Sequence, residues 1–457
     1  VEHDTWFRQI GEHVKAAMAR LRVPGVAVGI LHEGRDHLAG FGVTSVEHPQ
    51  VVDGDTLFQI GSTTKTVTGT ALMRLVNAGR FDLDAPVRRY LPEFRVADPA
   101  TSAQVTLRHL VTHTSGWVGD FFDGTGFGDD ALTRMIVRLA DRPQLTPVGT
   151  TWAYNNAGFY IAGRLIEIAT GLTYEDAVDE MICRPLGMTM SGFNPWHAIT
   201  HKVAVGHFAS HGEPRVAHPW WLERAANPVG GMISTARDQL RYARFHLGDG
   251  SAPDSTRLLT RDAMRSMQTA HAPAELGGAW GLTWGLGQVG GTRTVRHGGA
   301  TNGQLSAFLM VPERGFAITV LTNADIGSLL HDEVVRLGLK TYLGLENPDP
   351  APIAVDAATL NEYVGTYEGA LQDIELRRTD GGLTVHVTFK GGFPRQDSPP
   401  RPAPAPMPAA IIGPDRFAIL EGQMKGRQGE FLRDAGGAIV WLRSSRLHRR
   451  VPARSTQ

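Results

Sequence analysis

The chain has 457 residues, longer than one domain usually runs, and so predicts two or three cores. With 42% hydrophobic and 20% charged residues it has the balance of a folded globular protein, which excludes a disordered or fibrous one. Forty-five Lys plus Arg stand against 46 Asp plus Glu, so no field of one sign draws in nucleic acid or an anionic membrane, and no apolar run nears the roughly 20 residues that span a bilayer.

In chain order, residues 6 to 21 place Phe7, Ile10, Val14, Ala17 and Leu21 at helical spacing, and Pro24 ends that helix. Gly25 to Leu31 reads as a buried strand, Glu33-Gly34 as its turn, and His37 to Val43 as the returning arm of a hairpin. A second helix is expected over Thr66 to Ala78, closed by Gly79, and a third over Ala157 to Thr170, closed by Gly171. Leu305 to Val311 and Gly315 to Thr322 flank Pro312-Glu313-Arg314 as a late hairpin returning to the first sheet.

Asn347-Pro348-Asp349-Pro350-Ala351-Pro352 is a proline-rich break, after which short strand-like runs alternate with glycine turns. The domain boundary is placed there, giving domains at 1–346 and 347–457. In the second, Ile374 to Arg377 and Leu383 to Val387 flank Asp380-Gly381-Gly382, and Ala438 to Leu442 is the final expected strand, a pattern that suggests a small antiparallel barrel. Pro399 to Pro408 holds six prolines and is expected to be an extended loop that cannot pair in a sheet.

Ser62 and Lys65 stand at i and i+3 where Phe58-Gln59-Ile60-Gly61 gives way to a helix, so both side chains share one face. Free amides and a positive dipole end at that helix start would stabilise an oxyanion and disfavour a charge on Lys65, and a neutral lysine can take a serine proton. Taken alone the four residues fit equally well a helix cap beside a solvated lysine. Two other segments weigh against that: Tyr154-Asn155-Asn156 offers a phenol and a carboxamide at i and i+2, and His297-Gly298-Gly299-Ala300 follows a strand-like run, with glycines that admit a substrate close to the backbone.

With Ser-x-x-Lys, Tyr-x-Asn and His-x-Gly in that order, the sequence resembles the family of penicillin-binding proteins, class C β-lactamases and related serine esterases and D-peptidases. The resemblance spans roughly residues 10 to 345 and takes in Leu110-Val111-Thr112-His113-Thr114-Ser115-Gly116 and Pro185-Leu186-Gly187-Met188. Tyr363-Val364-Gly365-Thr366-Tyr367 is similar to the start of the lipocalin-like barrel that many relatives append. The resemblance implies a mixed α/β fold, an antiparallel sheet flanked by helices in the β-lactamase-like domain 1–346, followed by a lipocalin-like antiparallel β-barrel at 347–457.

By the same resemblance Ser62 attacks a carbonyl, Lys65 and Tyr154 share the base and acid roles, Asn156 positions a substrate amide, and His297 orients Tyr154 or the substrate. The amides of Ser62 and Ala300 would form the oxyanion hole. His297 stands where penicillin-hydrolysing relatives carry a lysine, so a permanent cation is lost and the expectation turns from β-lactams to esters and D-configured peptides. Three functions remain open: a serine hydrolase, a penicillin-binding-protein-type thioesterase that releases and macrocyclises nonribosomal peptides, and a binding protein that keeps the fold without turnover.

Pocket residues are expected from the glycine-rich loop Trp117 to Gly126, with Trp117, Phe121 and Phe122 as an aromatic wall, from Gly298 and Gly299, and from Arg446, which could grip a substrate carboxylate if the barrel covers the site. Trp220 and Trp221 fit pocket or core equally. His109 and His113 lack the glutamate of a zinc helix, Asp129-Asp130 reads as a helix start, and Cys183 reads as a small buried hydrophobe; no metal or cofactor is expected. The partner is a small-molecule or peptide acyl substrate, with no nucleic acid and no membrane; the oligomeric state is unknown. No charged-then-apolar export signal opens the sequence, which tilts the expected compartment of this soluble chain toward the cytoplasm, while a start at Val1 leaves it open.

Overall fold

The computed structural model describes residues 2–210, 212–379 and 382–452. Its larger part is built on an eight-stranded antiparallel sheet, in the order Arg35–Gly42, Gly25–His32, Phe316–Thr322, Leu305–Val311, Thr292–Ala300, Gly285–Val289, Ala279–Trp280 and Ala272–Pro273. Gly25–His32 is buried along its whole length because both faces of the sheet are covered. Val26, Val28 and Ile30 pack with Ile10 and Val14 of the helix Glu2–Leu21 and with Leu330 and Val334 of the helix Gly327–Leu343. Ala27 and Leu31 point the other way, into a larger core shared with Leu240 of the helix Ala236–Leu247 and with the helical layer that carries the site. The late hairpin returns as expected, pairing Phe316–Thr322 with Gly25–His32 through Val28 opposite Val320.

The helical layer centres on Thr64–Asn77 and Ala157–Thr170, both mostly buried. Ala157–Thr170 ends at Gly171 in the left-handed region (φ 74°), where glycine carries no Cβ penalty. A three-residue 3₁₀ turn, Gly61–Thr63, precedes Thr64–Asn77, so the helical winding begins before the expected Thr66 and takes in Ser62.

Residues 344–356 carry neither helix nor strand. After the helix Ala357–Tyr363, eight strands form a closed antiparallel barrel, sealed where Thr366 to Glu368 pair with Arg449 to Val451. Tyr367, Leu376, Val385, Ile411, Phe431 and Leu442 fill its core. Two expectations need correction. The last strand is Arg446–Val451 and not Ala438 to Leu442; its arginines at 446, 449 and 450 disguise it, although Leu447 and His448 are buried. The proline run also does pair at its end: Met407 and Pro408 stand opposite Val385 and Thr384, and Pro408, which has no N–H to give, uses its carbonyl to accept from Leu420. Of the expected barrel turn, Asp380 and Gly381 lie outside the described residues.

Candidate active site

The turn Gly61–Thr63, which carries Ser62, and the strand Thr292–Ala300 approach closer than any side chain would permit. A Cβ on Gly299 would lie 1.9 Å from the Ile60 carbonyl and 2.7 Å from the Ser62 amide, and one on Gly61 (φ +51°) would lie 2.4 Å from the Ala300 amide. Ser306 on the neighbouring strand locks the approach: its hydroxyl donates to the Ile60 carbonyl at 2.7 Å and accepts from Thr63 at 2.8 Å. Backbone amides of Ser62 and Ala300 therefore sit side by side across this seam.

Lys65, one helical turn beyond Ser62, is fully buried. Its Nζ donates to Ser62 Oγ at 2.9 Å and to the Val229 carbonyl at 2.7 Å. Burial pushes its pKa well below the usual lysine value, the Arg446 cation pushes it further, and Asp120 opposes them. The Tyr154 ring lies 5.0 Å from Lys65 Nζ. Its hydroxyl is buried with no hydrogen-bond partner among the described residues, and burial raises its pKa, though the nearby Ser62 hydroxyl and then Arg446 work against that rise.

His297 is buried on the far side, its ring 6.2 Å from that of Tyr154. Its Nδ1 must carry the proton, because it donates to the Gly298 carbonyl at 2.6 Å; Nε2 is then a bare acceptor, buried and without a partner among the described residues. Burial, reinforced by Lys65, brings its pKa down to about 3, so the ring is neutral. His113, in the left-handed region (φ 59°), packs under Tyr154 at 4.3 Å and accepts from the Asn155 amide through Nδ1. Its pKa is also driven well down by burial. The expectation that His113 is a structural turn residue near the site matches this placement, and His109 caps the helix Leu107–Val111 with Thr106.

Asn156 precedes the helix Ala157–Thr170, and its Nδ2 donates to Asp120 at 2.6 Å, leaving Oδ1 buried with no partner among the described residues. Asp120 in turn accepts from Arg446, at 2.5 Å from Nε and 3.2 Å from Nη2. Arg446 thus comes to the site from the barrel, its Cζ 5.0 Å from the Tyr154 ring. Asp120 lies in the loop Trp117 to Gly126 with no local pattern to single it out; its only signal in the sequence is a carboxylate in a loop following the His113 turn. Ser445 and Glu275 carry no signal in the sequence either: the Ser445 carbonyl accepts from the Tyr154 amide at 2.8 Å, and the Ser445 amide donates to Glu275.

These groups open on a cavity of about 2730 Å³ that continues between sheet and barrel, lined among others by Ser62, Trp117, Phe122, Tyr154, Asn156 and Arg446. His297, Gly298, Gly299 and Ala300 line it too. Phe121 does not: it turns into the core against Tyr160, with Arg142 stacked at 4.7 Å, because its neighbour Phe122 takes the cavity side against Phe393 of the barrel. Neither Trp220 nor Trp221 lines this cavity; Trp220 packs on Leu57 and Ile233 and Trp221 is partly exposed. Asp129 and Asp130 precede the helix Ala131–Arg138 and pair with Arg224 and Arg134. Cys183 is buried, and burial pushes its thiol up. Among the described residues no group of three or more metal-ligating side chains occurs, and no helix is long and apolar enough to cross a membrane.

A helix-borne Ser-x-x-Lys, a Tyr-x-Asn loop and a His-x-Gly strand meeting at one seam of a helix-flanked antiparallel sheet define a serine hydrolase of the β-lactamase fold. The chain belongs to the Beta-lactamase family, whose model matches residues 10–338. It is similar to Penicillin-binding protein 4 of Amycolatopsis lactamdurans, 36% identical over 369 residues that cover 78% of this chain and 96% of that one. It is also similar to Esterase EstB of Burkholderia gladioli, 32% identical over 306 residues, 59% of this chain and 76% of that one. The crystal structure of SurE aligns over 99% of this chain and 100% of its own, with a TM-score of 0.75 and 25% identity, so the likeness includes the barrel.

Proposed function

We propose that this chain cleaves an ester or a peptide-like amide, including D-configured ones, through an acyl-enzyme on Ser62. The observation that carries the reading is Lys65: buried, its charge disfavoured, and 2.9 Å from Ser62 Oγ. In its neutral form Lys65 takes the Ser62 proton as Oγ adds to the carbonyl carbon. The oxygen of that carbonyl becomes an oxyanion between the Ser62 and Ala300 amides, each such donor being worth about 2.7–4 kcal/mol in related chemistry. The bond to the leaving group breaks as Tyr154 relays a proton to it, with the bare Nε2 of His297 an acceptor for the Tyr154 hydroxyl. Water then adds to the acyl carbon, and Ser62 leaves with its proton restored.

The neutral His297 supports esters and peptides over β-lactams, since no charge at that position meets a β-lactam carboxylate. A fluorophosphonate and a chromogenic short-chain ester test the reading directly. Labelling and hydrolysis that vanish in Ser62→Ala are expected; a parent protein that neither labels nor hydrolyses, and is indistinguishable from Ser62→Ala, overturns it in favour of a binding role.

A second reading, release of a thioester-bound peptide by attack of its own amine, is supported by the wall that Phe393, Ser445 and Arg446 of the barrel segment place around the cavity, since exclusion of water favours an amine acceptor. A linear peptidyl thioester with a C-terminal D-residue separates the two readings: cyclic product supports the amine acceptor, and linear acid alone removes it for that substrate.

A further inference from the structure

The strand Thr292–Ala300 brings a neutral imidazole to the site at the position where a lysine would have brought a charge. A cation nevertheless stands beside Tyr154, and it comes from the other end of the chain. Ser444 and Arg446 pair across a hairpin turn whose middle residue, Ser445, is held in the left-handed region (φ 57°). That turn is fastened to the first domain at several points. The Ser445 carbonyl accepts from the Tyr154 amide at 2.8 Å, the Ser445 amide donates to Glu275, and Arg443 just before it donates to the Trp152 carbonyl at 3.1 Å.

Arg446 itself is held by Asp120 through two hydrogen bonds and by Ser445 Oγ at 3.2 Å. These contacts occupy one hydrogen on each of its three nitrogens, and they fix the guanidinium carbon 5.0 Å from the Tyr154 ring centroid, the distance at which Lys65 Nζ also stands. The Asp120 side chain is 5% exposed and that of Arg446 34%, so the carboxylate is shielded from water while the guanidinium keeps a partly solvated edge on the cavity.

We propose that Arg446, clamped by Asp120, is a positioning residue that supplies from the barrel the fixed positive charge the third motif lacks, so that the barrel completes the first domain's acyl-transfer site. This rests on the Ser62 acyl-enzyme reading. Through space the Arg446 cation favours a neutral Lys65 and an ionised Tyr154, and Asp120 acts in the opposite sense on both. The other titratable groups around Lys65 are Tyr154 itself, His113 from its turn and His297 from the strand, and both histidines are held neutral by burial. The net field on Lys65 is therefore set by Arg446 against Asp120. Asp120 has a second effect: by accepting from Asn156 Nδ2 it fixes that amide with Oδ1 left to accept from a substrate N–H.

The test uses the full chain and an uncharged chromogenic ester, which offers no carboxylate for Arg446 to grip, with kcat/KM and the fluorophosphonate labelling rate followed against pH. Because the neutral lysine is the active form, Arg446→Gln moves the acidic limb to higher pH and Asp120→Asn moves it to lower pH, each by about one pH unit, while Arg446→Lys keeps it in place. A purely structural role lowers amplitude without opposed shifts, and a role in gripping substrate carboxylate leaves the uncharged ester unaffected. Limbs that stay put, or that move in the same direction, overturn the proposal. Should Arg446→Gln fail to fold, judged by its melting curve, the downward shift in Asp120→Asn decides alone. A parent protein whose Ser62 does not label points instead to failure of the acyl-enzyme reading.

Discussion

Lys65 Nζ lies 2.9 Å from Ser62 Oγ and shares its remaining bonding with the Val229 carbonyl, so the amine is fixed between a hydroxyl and a backbone acceptor with no carboxylate in contact. Burial first and then Arg446 disfavour its charge, outweighing the opposing pull of Asp120, which suits an amine that is to accept a proton. Lys65→Met, close in volume, is expected to lower the rate of fluorophosphonate labelling by about 10²–10⁴-fold, the range for loss of a positioned general base. Its melting temperature should not fall, because a buried amine is replaced by an apolar chain.

The seam between Gly299 and the turn that carries Ser62 predicts an unusual sensitivity to one methyl group. In Gly299→Ala the Cβ meets the Ile60 carbonyl at 1.9 Å, against backbone that cannot rotate away. We expect a loss of about 1–3 kcal/mol in stability from overpacking. A fall of about 10²-fold or more in acylation should accompany it as the Ser62 amide is displaced, the size seen when one oxyanion donor is lost. Urea unfolding and labelling kinetics on the same preparation read both.

Phe121 and Phe122 are adjacent and equally buried, yet their substitutions should act differently. Phe121→Ala opens a hole against Tyr160 in the main core and is expected to cost about 3–5 kcal/mol with KM unchanged. Phe122→Ala removes part of the cavity wall against Phe393, so KM for an ester with a bulky acyl group should rise while KM for acetyl esters holds. Equal effects on both parameters from the two variants would contradict the placement.

Four histidines predict acid sensitivity. Burial lowers His246, His297 and His331 to about 3 and His448 to about 4, against 6.5 for an exposed imidazole. The unfolded chain thus binds more protons than the folded one between these values, and stability falls as pH drops through that window. Each histidine contributes a slope of up to about 1.4 kcal/mol per pH unit there and none above about pH 7.5. Urea midpoints measured from pH 8 to pH 4 should decline below pH 6.5, and His331→Gln, remote from Ser62, should soften that decline.

The fold was legible where periodicity and turn residues are local. Gly25 to Leu31 announces itself because a strand buried on both faces is apolar throughout, and Ser62 with Lys65 does so because one helical turn joins them. Phe121 was misplaced because an irregular loop has no period from which its facing could be read. Arg446–Val451 hid behind its arginines, which find partners when the chain folds: Arg449 stacks on Trp441, Arg450 on the buried Tyr367, and Arg446 bonds Asp120. Least legible was Asp120 with Arg446, 326 residues apart, since a bond closed only by tertiary structure leaves no trace in local spacing.

That separation has a consequence during synthesis. Ser62, Lys65, Tyr154 and His297 are all translated before any residue of the barrel, but the Tyr154 amide has no Ser445 carbonyl to meet, and Asp120 no Arg446, until the strands Ile439–Ser444 and Arg446–Val451 have been made. A chain halted before Ser445 carries Ser62 and Lys65 without the contacts that this strand pair makes to Tyr154 and Asp120.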